Sequence, residues 1–278
     1  PERTPREKRR RTLQAVLLSV AGLFVSPLVA FGAGYLFFPI PNPDDAVNNQ
    51  VALVSYADGS QLTRLVPEAG NRTKVGLDAV PEHVRHAVLA AEDRTFYSNP
   101  GFDLSGIARA AWNQLRGGTG GGSTITQQFV KNALVGDDQT LWRKYKELVL
   151  SVKLSQQRTK DEILADYLNA IYFGRGAYGI QSASQAYFGK DVGQLTPEEG
   201  ALLAGVIQSP ARWDPALNPE RAVQRWSFVL DGMVAQGWMS PQQREAAQFP
   251  VTVPRTTAKG IGVPADSTGH IVTAVSRE

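Results

Sequence analysis

From Leu13 to Phe38 the chain runs 26 residues without one charged side chain. A helix of that length rises roughly 39 Å, against a hydrocarbon core of about 30 Å, so the stretch can span a bilayer with some tilt. Pro27, Gly32 and Gly34 are tolerable in such a helix, and Tyr35, Phe37 and Phe38 suit its outer interface. A secretory signal has an apolar core of about 7–15 residues, much shorter than this one, which favours an uncleaved anchor. Residues 1–12 begin PERTPREKRRR, six basic side chains against two acidic ones. The positive-inside rule keeps that tail in the cytoplasm. The expected chain is a single-pass membrane protein, with residues 13–38 in the membrane and everything after Pro39 on the far side.

The formal net charge of +3 is supplied by the tail, so the remainder is close to neutral and no nucleic-acid partner is expected. No cysteine occurs, which excludes disulfides, thiol catalysis and thiolate metal sites. His83, His86 and His270 do not form a ligand cluster by spacing.

After the apolar stretch, PIPNP at Pro39–Pro43 reads as a stiff, extended exit. Val51–Val66 alternates around Asp58-Gly59, a hairpin signal, so residues 39–80 form a linker with a short β element. Helical patterns then dominate, at 81–95, 103–116, 123–135, 140–158, 160–173, 176–188, 196–208 and 219–248. A mostly α-helical domain over residues 81–250 follows, with a Thr- and Val-rich segment over 251–278.

Four segments can carry chemistry. In AAEDRTFYSNPGFD, Glu92 and Asp93 end an apolar helix beside a turn, where burial against Phe96 and Tyr97 would raise a carboxylate pKa and suit acid–base work. Alone, this segment is better read as a solvated helix end. RGGTGGGSTITQQFVKN, Arg116–Asn132, approaches a nucleotide P-loop but has Ser123 where the loop lysine belongs. Ser123 is expected to cap the following helix, placing Thr124, Gln128 and Lys131 on one face, with Gln127 and Asn132 nearby. A helix N-terminus with a nearby lysine suits a phosphate or diphosphate. In LWRKYKELVLSVKL, Arg143 and Lys144 lie four and three residues before Glu147; taken alone, such pairs are more often surface ion pairs. GRGAYG, Gly174–Gly179, matches G-x-G-x-x-G literally, but it follows a helical pattern where a dinucleotide fingerprint needs a buried strand, so the match reads as accidental.

Taken together, these segments resemble the glycosyltransferase family 51 module of class A penicillin-binding proteins and monofunctional transglycosylases. E-D-x-x-F-x-x-H-x-G-x-D is matched by Glu92, Asp93, Phe96, Gly101 and Asp103, with Asn99 in place of His; G-x-S-T-I-T-Q-Q is matched by Gly121–Gln128, and R-K-x-x-E by Arg143, Lys144 and Glu147. Ile163–Lys190 and Glu199–Pro210 match the fourth and fifth motifs, and the resemblance covers about residues 45–250. It implies a mainly α, lysozyme-like glycosyltransferase domain with a small membrane-associated jaw around Leu134–Trp142. The implied activity is polymerisation of lipid II into β-1,4 glycan at the outer face of a bacterial cell membrane, with inversion at the MurNAc C1.

By that resemblance Glu92 is the base and Glu147 assists departure of the lipid diphosphate. Asp93, Phe96, Ser123, Thr124, Gln128, Lys131, Asn132, Arg143 and Lys144 contact substrate. A divalent ion, Mg2+ or Mn2+, is implied as an aid to the leaving group, with Asp93 as a candidate ligand; no organic cofactor is implied. Asn99 either replaces the family histidine structurally or alters the Glu92 pKa. The implied partners are lipid II, the growing glycan strand, membrane lipids and other cell-wall synthesis proteins. A lysozyme-type hydrolase shares the fold but needs no cationic cluster, and a silent membrane-anchored scaffold is the alternative to an enzyme. No S-x-x-K, S-x-N or K-T-G transpeptidase motif occurs, and Thr268–Glu278 resembles the linker leading to such a domain, so a bifunctional full-length protein is expected. The glycines of Gly117–Gly122 are expected to form a mobile lip.

Overall fold

The computed structural model describes residues 14, 22–23, 25–40, 52–55, 61–65, 71–103, 106, 122–135 and 140–255. The expected basic tail, residues 13, 15–21 and 24 of the 13–38 span, most of the helix over 103–116, the glycines of 117–121 and the segment after 255 lie outside the described residues. Residues 25–37 are helical, and Leu28, Val29, Leu36 and Phe37 are exposed. Among the described residues no helix is long and apolar enough to cross a membrane.

The expected hairpin is present: β1 (Ala52–Ser55) pairs antiparallel with β2 (Gln61–Leu65), Ala52 opposite Leu65. The main body is mostly helical. Its centre is α6 (Pro197–Val206), where Gly200 through Val206 are all buried. A helix apolar all round must be enclosed by others, and α1 (Glu82–Glu92) and α8 (Pro219–Ala235) close around it and on each other. In α8 the side chains Ala222, Trp226, Val229, Leu230 and Met233 recur at helical spacing and face inward, and Trp226 Nε1 donates to the Glu198 carbonyl at 2.9 Å. Each fully buried aliphatic side chain contributes about 1.5–3 kcal/mol, so truncating Leu203, fully enclosed here, would cost roughly 2–5 kcal/mol.

A second group of helices stands beside this core. It comprises α2 (Ile125–Phe129), continued by a π-helical turn (Val130–Val135), then α3 (Leu141–Gln157) and α4 (Lys160–Ala170), with α2 packed on both. The helix over 25–37 lies against α3: Tyr35 donates to Gln156 Oε1 at 2.5 Å, Lys153 Nζ to the Phe38 carbonyl at 2.7 Å, and Tyr145 to the Ala30 carbonyl.

Three expected helices end differently. The 160–173 pattern stops at Ala170, and residues predicted helical instead form β4 (Tyr172–Gly174) and β5 (Ala177–Tyr178), which join β3 (Asn71–Arg72) in the order β3-β5-β4. The G-x-G-x-x-G match is therefore a hairpin turn, with Arg175 at φ 52°. That strained backbone is held by its side chain. Arg175 Nε and an NH2 reach the Asp214 carboxylate at 3.0 and 2.8 Å, and its NH1 reaches the Ala186 and Val253 carbonyls. The 176–188 helix starts later, as α5 (Ile180–Phe188). The 219–248 pattern breaks at Gly237, φ 71°, giving α8 and a short α9 (Pro241–Ala246), while α7 (Pro210–Trp213) precedes Asp214.

Candidate active site

A cleft of about 1450 Å³ runs between the two groups of helices. Its walls carry Glu92, Asp93, Ser123, Thr124, Gln128, Lys131, Asn132, Arg143, Lys144 and Glu147, ten of the eleven candidate residues. Phe96 is the exception and a correction to the sequence reading. It is 1% exposed, sits in the hydrophobic core, and packs edge-to-face with Tyr97 under the Lys160 ammonium. An aromatic ring beside an acidic turn reads the same in sequence whether it faces cleft or core.

Glu92 is the last residue of α1, where the chain turns out of the helix at Asp93. Its side chain is 8% exposed. Gln128 Nε2 donates to Oε2 at 2.8 Å, and the Gln128 carbonyl oxygen accepts from the Tyr167 hydroxyl at 3.1 Å. Arg225 NH2 lies 3.5 Å from Oε1. Burial raises the Glu92 pKa above its ordinary value; the Gln128 hydrogen bond and the Arg225 charge pull it down, and Asp93 pushes it up further. The result is a stronger base than a solvated glutamate. Tyr167, fully buried beside both carboxylates, is held well above its ordinary value and stays protonated as a donor.

Asp93 is a strut. Its carboxylate accepts from the Thr95 backbone N–H and hydroxyl at 3.2 and 3.1 Å, from Asn99 Nδ2 at both oxygens, and from the Ile125 backbone N–H at 3.1 Å. The last bond satisfies a first-turn donor of α2 and ties that helix to the end of α1. Burial still raises the Asp93 pKa above its ordinary value, against these hydrogen bonds from Ile125, Asn99 and Thr95. With its oxygens so occupied, Asp93 does not fit the role of a metal ligand. Among the described residues no group of three or more His, Cys, Asp or Glu could hold a metal ion.

Asn99 extends the strut. While its Nδ2 serves Asp93, its Oδ1 accepts from the Gly101 N–H at 3.0 Å and from Lys160 Nζ at 3.1 Å. Gly101 has φ 98°, and a Cβ there would stand 2.4 Å from Ser155 Oγ and 2.6 Å from the Ser151 carbonyl, so only glycine fits. Its carbonyl accepts from Thr124 Oγ1 at 2.9 Å.

Thr124, not Ser123, caps α2. Its hydroxyl accepts from the Gln127 N–H while Gln127 Oε1 accepts from the Thr124 N–H, a reciprocal capping box. The capping-box spacing requires Gln or Glu three residues after the cap; Ser123 has Thr126 there, so the signal was legible and favoured Thr124. Ser123 lies half-buried in the cleft wall. The π-helical turn after Phe129 carries Lys131 and Asn132, both exposed toward the cleft.

Across the cleft, Thr140 caps α3. Two helical turns in, Glu147 is 2% exposed, with Arg143 NH1 3.2 Å from Oε2 and Lys144 Nζ on Oε1. Both of its oxygens are therefore engaged by cations. Arg143 Nε is buried without a hydrogen-bond partner, an unmet donor in a wall that also presents Lys131 and the half-exposed Lys144.

The sequence reading missed Arg225 and Tyr167. Tyr167 lies inside the fourth motif match but was not singled out there. Arg225 comes 133 residues after Glu92, in a helix with no local sign of chemistry.

A helical cleft with a buried carboxylate on one wall and a cationic cluster on another defines a class, and the comparison with known families agrees. Residues 58–234 match the Transglycosylase family, and the chain belongs to it. Penicillin-binding protein 1A of Mycobacterium tuberculosis is 51% identical over 270 residues, covering 95% of this chain and 33% of that protein. Its counterpart in Mycolicibacterium smegmatis is 54% identical over 243 residues, covering 85% and 31%, and that in Aquifex aeolicus is 45% identical over 247 residues, covering 88% and 34%. The chain spans about a third of the length of these relatives.

Proposed function

We propose that the chain is a peptidoglycan glycosyltransferase, polymerising lipid II into β-1,4 glycan strands. The observation that carries this reading is the single cleft holding buried Glu92 together with Lys131, Lys144 and the unmet Arg143 Nε. A sugar hydroxyl is a weak nucleophile at neutral pH and needs a base within hydrogen-bond reach. Glu92 takes the proton of the acceptor GlcNAc 4-hydroxyl as that oxygen bonds C1 of the donor MurNAc. The C1–O bond to the lipid diphosphate breaks, and its electron pair leaves with the diphosphate. One in-line displacement inverts an α-linked diphosphate to a β-glycoside.

The cations stabilise the charge that develops on the leaving group by preorganised electrostatics. Glu147 supports this by holding Arg143 and Lys144 in place, while Ser123, Thr124, Gln128 and Asn132 shape the wall between base and cations. A divalent ion, where bound, would add charge neutralisation at the diphosphate, and Asp93 does not fit as its ligand. Membrane attachment at the outer face of a bacterial cell is the reading supported by the uncharged 13–38 stretch and the exposed apolar side chains of residues 25–37.

Incubation of the chain in detergent with labelled lipid II tests the reading. Consumption of lipid II with release of polymer and lipid diphosphate is expected. Unconsumed lipid II under conditions that support a known polymerase overturns it.

A further inference from the structure

Glu92 is grasped from two sides. Gln128 holds Oε2 and is itself fixed by the Tyr167 hydroxyl, so this side is a chain of partners with little freedom. On the other side Arg225 reaches from α8, its NH2 3.5 Å from Oε1, with the side chain 12% exposed. The guanidinium is supported from behind: Nε donates to the Gly205 carbonyl at 3.4 Å, and the plane lies 4.8 Å from the Phe228 ring centroid and 6.0 Å from that of Trp213. Gly205 belongs to α6, so α1, α6 and α8 meet at this point.

We propose that Arg225 is a positioning residue for the Glu92 base, fixing the carboxylate between two donors so that one oxygen stays aimed at the acceptor hydroxyl. The inference rests on the reading of Glu92 as the base. A glutamate at the end of a helix has three rotatable bonds, and a base must sit within a few tenths of an ångström of the proton it takes. Gln128 alone fixes one oxygen and leaves the carboxylate free to swing about that bond; the second donor removes the swing. Other charged or titratable groups facing Glu92 do not supply this. Asp93 is engaged with Thr95, Asn99 and Ile125, Tyr167 acts through Gln128, and Arg143 and Lys144 are paired with Glu147. Lys131 is exposed on the π-helical turn.

Steady-state polymerisation of lipid II by full-chain variants in detergent tests the assignment, with unfolding temperature measured alongside. Arg225→Gln should lower kcat roughly ten- to a hundredfold while KM changes by less than about twofold, and Arg225→Lys should recover much of the loss. Arg225→Met, which keeps the packing on Phe228, replaces Arg225→Gln if that variant does not fold. A rise in KM with kcat unchanged would show that the guanidinium grips substrate instead, and overturns the proposal. Equal losses in the Lys and Gln variants together with a lowered unfolding temperature would reduce Arg225 to packing. If Glu92→Gln still polymerises lipid II, the base reading itself fails; if Glu92→Gln is inactive while Arg225→Gln matches wild type, only the Arg225 assignment fails.

Discussion

Burial sets the chemical character of Glu92. Its raised pKa, with burial as the largest cause, means that the base is protonated and idle at pH values where an ordinary glutamate is already charged. Activity is lost as pH falls through that raised value, since only the carboxylate can accept the hydroxyl proton. The acid limb of kcat/KM for lipid II is therefore expected above the ordinary glutamate value. A limb centred at or below it, in a pH series at saturating and limiting substrate, contradicts the assignment. Glu92, Gln128 and Glu147 were legible because motif spacing names residues directly. Their partners were not, because a hydrogen bond between Glu92 and Gln128 joins positions 36 apart. Asn99 fills both the donor and the acceptor role within the strut, which favours the structural reading of its departure from the family histidine.

At the scale of elements, the site depends on where α2 begins. Thr124 closes the capping box and also holds the Gly101 carbonyl, so one hydroxyl aligns α2, the Asp93 turn and through them Gln128. Thr124→Ala should cost about 1 kcal/mol from the cap, and up to roughly twice that because the Gly101 carbonyl is buried. Thermal unfolding measures this, and an unchanged unfolding temperature with full activity would show that the cap does not set the site. The helices of the core were legible from their period, as in α8. The π-helical turn Val130–Val135 and the β4–β5 hairpin were not: no local residue pattern separates a π turn from an α turn. β4 and β5 form because they pair with each other, because β5 also pairs with β3 from another part of the chain, and because Arg175 is anchored by Asp214.

The whole molecule brings together what the chain keeps apart. Glu92 ends α1 and Arg225 lies in α8, while the cations Arg143 and Lys144 sit on α3, whose other face receives the helix over 25–37 and Phe38 through Tyr35, Phe38 and Tyr145. A membrane-inserted helix so placed would hold the cationic wall at the surface where a lipid diphosphate emerges. Composition and periodicity pointed to a mostly helical domain after an apolar stretch; convergence of α1, α2, α3 and α8 on one cleft is tertiary, and only the family resemblance anticipated it. The central claim is that this cleft polymerises lipid II with Glu92 as its base. The most direct measurement compares glycan synthesis by wild type and Glu92→Gln, which keeps size and shape while removing the proton acceptor. A loss of roughly 10²–10⁴-fold in rate, with the variant still folded and still binding lipid II, is the expected result. Polymerisation by Glu92→Gln at the wild-type rate would contradict it.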